Sequence, residues 1–184
     1  MYNAEKNNIN WLDLIDKNEY FDSIRTLPLS QIFYISSINP ENFNDIAYNN
    51  WKNIILQLFE KDTFINGEKT SAEDFITGTL KSIGREIFTD WIEKLYFDSM
   101  NFSNYKIGIL HTISHMDYQK IYPAGQYIAL TGLTDPNDEV IEYSIKAFEN
   151  WNIKNSAKLL KGRQLKKQWL QNYLEDVTKY LEEL

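Results

Sequence analysis

The chain of 184 residues carries 26 acidic against 19 basic side chains, a net charge of −7, with 43% hydrophobic and 15% aromatic residues. That apolar content supports a real core and excludes a disordered chain, while the absence of cysteine excludes a disulfide framework and thiolate metal ligands. Met1–Asn8 hold no apolar signal core, and no window approaches the roughly 20 apolar residues of a membrane span, so a cytoplasmic protein with no membrane partner is expected.

Pro28, Pro40, Gly67, Pro123, Gly132 and Gly162 punctuate periodic segments. Helices are predicted over 9–25, 29–38, 42–61, 71–99, 104–117, 121–133, 136–151, 153–161 and 164–183. In the second, Ile32-Phe33-Tyr34-Ile35 also suits a buried strand by composition, but no partner strand is evident and the segment is read as helical. The third carries the stripe Phe43, Ala47, Trp51, Ile54 and Leu58, and the last carries Leu170, Leu174, Val177, Leu181 and Leu184. No low-complexity linker divides the chain. A single all-α domain over 1–184 is expected, with an acidic helical half in 1–100 and a second half in 101–184.

Charge separates those halves. Residues 1–100 hold 16 acidic and 9 basic side chains, whereas 101–184 hold 10 of each, so the whole excess is N-terminal. Such a surface favours a basic partner and disfavours nucleic acid, whose phosphates are bound by Lys and Arg. At about 100° per residue on the helix of 71–99, Glu86, Asp90, Glu93 and Phe97 share one stripe, nearly opposite Ile87, Phe88, Trp91, Ile92 and Leu95. These four are the candidate partner-binding residues, the carboxylates meeting a basic surface while Phe97 anchors.

Catalytic motifs are absent. Ile76-Thr77-Gly78-Thr79-Leu80 and Gly84-Arg85 match neither a P-loop nor a dinucleotide fingerprint, and there is no Gly-x-Ser-x-Gly elbow. His111 and His115 lie four apart, a spacing that can chelate zinc on a helix, yet the Glu that follows the first His in helical zinc proteases is missing. Asp117 is the nearest third ligand in sequence. Glu86, Asp90 and Glu93 also have spacings that align carboxylates, but no Glu-x-x-His motif accompanies them. No catalytic residue, metal site or cofactor is therefore assigned, and a metal-dependent enzyme using His111 and His115 stands as an alternative. Lys158, Lys161, Arg163, Lys166 and Lys167 form a cationic stretch that suits a helix C-terminus and a polar connection, or else an acidic contact.

Gly132-Leu133-Thr134-Asp135-Pro136-Asn137-Asp138-Glu139-Val140 reads as a tight turn between two helices, with Asp135 as N-cap, Pro136 at the first helical position and acidic residues on the positive end of the dipole. The following helix has a broad band of Val140, Ile141, Ser144, Ile145, Ala147, Phe148 and Trp151, as expected when it is covered on two sides. The pattern Leu133-x-Asp135-Pro136-x-x-x-Val140-x-x-x-Ser144-x-x-Ala147-Phe148 resembles a HEAT-type repeat of roughly 35 residues. Ile141 stands where that family often has Arg. Shifting back by about 35 residues places Leu110, Ile113 and Met116 under Ile145, Phe148 and Trp151. The resemblance implies antiparallel helix pairs stacked as a short solenoid in 101–184, with 1–100 as a helical cap or bundle.

Solenoids of this kind offer extended binding surfaces, so the resemblance implies a non-catalytic protein-binding module. Some HEAT-like proteins, including alkylpurine DNA glycosylases, bind nucleic acid, which gives a second alternative. The small, acidic, cysteine-free chain, with the Asn, Ile, Lys and Tyr enrichment of AT-rich bacterial genomes, is similar in kind to bacterial immunity proteins. These neutralise a toxin by laying an acidic surface over a basic domain, which would be the partner here.

Overall fold

Helices make up all the regular structure of the described residues, which are all-α. A computed structural model describes residues 40–64 and 68–184, with side chains from Asp45 onward. The helices expected at 9–25 and 29–38, with the segment Ile32–Ile35 and the break at Gly67, lie outside the described residues. The elements are α1 (Pro40–Lys61), α2 (Ser71–Ile83), α3 (Arg85–Asp98), α4 (Ser103–Ser114), α5 (Tyr118–Ile121), α6 (Ala124–Gly132), α7 (Asp138–Trp151), a 3₁₀ turn (Lys154–Ser156), α8 (Ala157–Leu160) and α9 (Gln168–Glu183). Asp45–Leu184 form one compact unit. Among the described residues no helix is long and apolar enough to cross a membrane.

The continuous helix expected over 71–99 is two helices. Gly84, at φ 80°, closes α2 by donating its N–H to Leu80 and opens α3 by accepting from Phe88. Only glycine takes that φ freely, and because both flanks keep helical period, periodicity alone does not register the break. Thr70 caps α2, its hydroxyl accepting from the Glu73 N–H at 3.2 Å. Tyr48 and Trp51 of α1 stack against Trp91 of α3 at ring-centroid distances of 5.9 and 5.5 Å. Trp51 donates to the Thr79 hydroxyl of α2 at 3.1 Å. The inner stripe of α1 runs through Ala47, Trp51, Ile55 and Phe59 rather than through Ile54 and Leu58, which are half-buried.

Helix α4 is the centre of the unit: Lys106 through Ser114 are all buried. It packs chiefly on α7, while α3 packs on α6, α6 on α7, and α7 on α9. Ile109, Leu110, Ile113, Ile145 and Phe148 are fully enclosed, and each such side chain contributes about 1.5–3 kcal/mol by leaving water. The expected band of α7 is buried throughout, and α9 buries Leu170, Leu174, Val177 and Leu181 but leaves Leu184 exposed.

The turn between α6 and α7 is present, with a different cap from the one expected. Asn137, not Asp135, is the N-cap; its side-chain oxygen accepts from Glu139 and Val140 at 2.9 and 3.3 Å, and the helix begins at Asp138 rather than Pro136. Asp135 instead accepts from the Asn137 N–H at 2.9 Å and makes an ion pair with Lys106 of α4, both side chains buried. Either residue can cap a helix; the nearby buried ammonium recruits Asp135 and leaves the cap to Asn137. At the end of α6, a Cβ on Gly132 would run into the Ser144 hydroxyl, so α6 meets α7 closely there and any larger residue forces Ser144 to shift.

Two outcomes follow. Lys106→Met strands a buried carboxylate, and Asp135→Asn strands a buried ammonium, so each should cost about 3–5 kcal/mol in urea unfolding; a loss below about 1 kcal/mol, the range of surface pairs, would remove the pair from this role. Gly132→Ala should destabilise by about 1–3 kcal/mol through overpacking against Ser144, and Ser144→Ala in the same chain should recover part of that loss.

Candidate functional site

Two groups of side chains stand out. On α3, the core face is formed by Phe88, Trp91, Ile92 and Leu95, all buried. Glu86, Asp90 and Phe97 lie exposed on the other side and Glu93 is half-exposed, so the four candidate residues share one outward face of a single helix. Ile87, expected on the inner side, is exposed as well. None of the three carboxylates enters an ion pair among the described residues, whereas the neighbouring Lys94 pairs with Asp45 at 3.3 Å. Phe97, Met100 and Phe102 are each about half exposed within one short stretch where α3 turns into α4.

Beyond that turn lies a cleft of about 690 Å³ lined by Phe59, Phe64, Phe102 and Tyr105 together with Glu60, Asp62 and Glu139, and by no Lys or Arg. Glu60 accepts from the Tyr105 hydroxyl at 2.7 Å, and Asp62 accepts from the Ala72 N–H at 2.9 Å. The concave part of this surface is therefore also acidic and aromatic.

The second group joins the two histidines. His111 sits in the last turn of α4 and His115 is its C-cap, so the four-residue spacing does put both on one side. Asp117, the nearest carboxylate in sequence, instead caps α5 by accepting from Gln119 at 3.0 Å. The carboxylate that reaches the histidines is Glu73, from the first turn of α2. Its Oε1 is 2.9 Å from His115 Nδ1 and 3.1 Å from His111 Nε2. Ligand-capable atoms of all three residues lie within 4.8 Å of one another. Among the described residues no other three His, Asp or Glu side chains converge in this way, so Glu86, Asp90 and Glu93 do not form such a cluster.

Glu73 escapes sequence reading because Thr70-Ser71-Ala72-Glu73 has the form of a capping box, in which the glutamate turns back to the cap's own N–H. Here its side chain turns onto the imidazoles. The signal that finds it is a buried acidic residue, since carboxylates are almost never enclosed without a partner. His111 is packed between Phe64 and Tyr143, at ring distances of 5.3 and 5.8 Å. Its Nε2 is buried and, although 3.1 Å from Glu73, makes no aligned hydrogen bond.

The cationic stretch near the C-terminus is partly neutralised. Lys161 pairs with Glu182 at 2.7 Å, Lys167 with Asp138 at 3.8 Å, and Arg163 donates to the Leu159 carbonyl at 2.7 Å. No known protein family, curated protein or solved structure matches the chain.

Burial, and after it the neighbouring His115, hold His111 below its ordinary value of 6.5, against the pull of Glu73. A base with a depressed folded pKa takes up its proton more readily in the unfolded chain. Its contribution to stability is therefore complete above pH 6.5 and is lost as pH falls through the folded value. The urea midpoint should fall on acidification below pH 6.5, and His111→Gln should flatten that fall; an unchanged slope in the variant would show that other groups govern it.

Proposed function

We propose that this chain is a non-catalytic protein-binding module of HEAT-like helix pairs, and that it acts as an immunity protein by covering a basic toxin domain. The observation that carries the reading is the outward face of α3, where Glu86, Asp90 and Glu93 stand without an ion pair among the described residues, beside the half-exposed Phe97. Carboxylates left unpaired on a folded surface supply the field that draws in a basic partner, and an exposed aromatic beside them supplies the apolar anchor. The acidic, aromatic cleft between Phe59, Phe102 and Tyr105 extends the same chemistry and admits a Lys or Arg side chain.

The helix packing supports the HEAT-like reading. The α4 and α7 helices pack together, and they carry the two apolar sets, Leu110 with Ile113 and Ile145 with Phe148, that lie one repeat apart in sequence. The α3–α6 and α7–α9 contacts continue that neighbour-to-neighbour scheme on either side.

Expression of the chain should protect cells against a toxin encoded beside its gene, with a stoichiometric complex recovered on co-purification. Charge reversal in the triple variant Glu86→Lys, Asp90→Lys, Glu93→Lys should slow association at low salt by about tenfold or more and remove most of its salt dependence. Phe97→Ala should act on the dissociation rate instead. Equal association rates for variant and wild type would dismiss this face.

A further inference from the structure

The geometry points to Glu73, His111 and His115 as a binding site for one late first-row divalent metal ion, with zinc as the representative. The three ligand-capable atoms come from two helices, α2 and α4, that pack against each other. Two imidazoles and one carboxylate form the donor set preferred by zinc, cobalt, nickel or iron; calcium and magnesium take oxygen donors.

The spacing is close to what such an ion needs. A tetrahedral zinc about 2.1 Å from each ligand holds the ligand atoms roughly 3.4 Å apart. The 2.9 and 3.1 Å separations from Glu73 to the two rings widen to that figure by a few tenths of an ångström. The ligand atoms of all three residues lie within 4.8 Å of one another, so rotation of the Glu73 side chain and of the histidine rings brings the set onto one ion.

An independent observation is His111 itself. Its ring is 2% exposed, and Nε2 faces the cluster without a hydrogen bond, a condition buried polar atoms rarely keep. If the cluster were only a carboxylate shared between two imidazoles, both rings would donate to it with good alignment; only His115 does so. His111 is thus fixed by the rings of Phe64 and Tyr143, with Nε2 aimed at a carboxylate and the ring edge-on to a second histidine, an arrangement that presents it as a ligand.

The surroundings define what else the ion meets. Phe64 and Tyr143 wall the His111 side, and the Tyr143 hydroxyl donates to the Phe64 carbonyl at 2.8 Å, which fixes that wall. The His115 side chain is 25% exposed, so the cluster reaches solvent on that side. Three protein ligands leave a fourth position there for water or a small anion.

The test uses the full chain after chelator treatment. Calorimetric titration with zinc chloride should show one ion bound per chain, accompanied by a rise in Tm. Ring nitrogen resonances of both His111 and His115 should move together at the same equivalence point, a readout that needs no variant. Glu73→Gln and His115→Ala, checked by circular dichroism for intact helices, should each bind zinc at least about 100-fold more weakly, the upper end of what losing a merely supporting partner costs. An absence of stoichiometric zinc binding, histidine resonances that stay still, or folded variants that bind like the wild type would each overturn the site.

Discussion

The buried ion pair between Lys106 and Asp135 is the constraint around which the described unit is arranged. It ties the first turns of α4 to the connection between α6 and α7, with both side chains almost completely enclosed. A lone ammonium at Lys106 would be intolerable in that position, and so would a lone carboxylate at Asp135. Each therefore dictates where the other's backbone lies. The pair does not have to outweigh an apolar alternative in energy; its effect is to exclude other registers of α4 against the α6–α7 connection. Everything carried by α4, including the two histidines at its far end, inherits that placement.

The Tyr96 hydroxyl lies near this pair, buried and without a hydrogen-bond partner, and burial together with the Asp135 charge pushes its pKa upward. The tyrosine thus stays a neutral phenol against the carboxylate. The same economy of residues recurs at the other end of α4. Glu73 belongs to the first turn of α2, where its charge favours the helix dipole, and its carboxylate also spans the gap to His111 and His115. One acidic residue thereby joins the start of α2 to the end of α4.

Much of the helical layout was legible from periodicity, because α1, α7 and α9 each present a stripe of apolar residues to one side. The band from Val140 to Trp151 even announced that α7 is covered on two sides. Gly84 marks where that kind of reading stops: its positive φ interrupts the helix without disturbing the pattern on either flank. Asp135 and Asn137 mark a second limit. Both are good caps, and the choice between them depends on Lys106, which is distant in sequence and visible only in three dimensions. The outward face of α3 was recoverable because four residues on one helix need nothing but the helical period. The histidine cluster was half recoverable, since the two rings share α4 while the carboxylate arrives from another helix under the disguise of a capping box.

Helix α4 has no solvent face from Lys106 to Ser114, yet its composition is mixed: Gly108 lies against Phe59 and Phe64, and Thr112 turns its hydroxyl back onto the Gly108 carbonyl. Ordinary surface helices absorb random substitution on their wet side. This one has none to offer, so nearly every position in that stretch is tied to a different neighbour. As the gene drifts over generations, this segment should change most slowly, and homologues too distant to recognise elsewhere should retain its sequence.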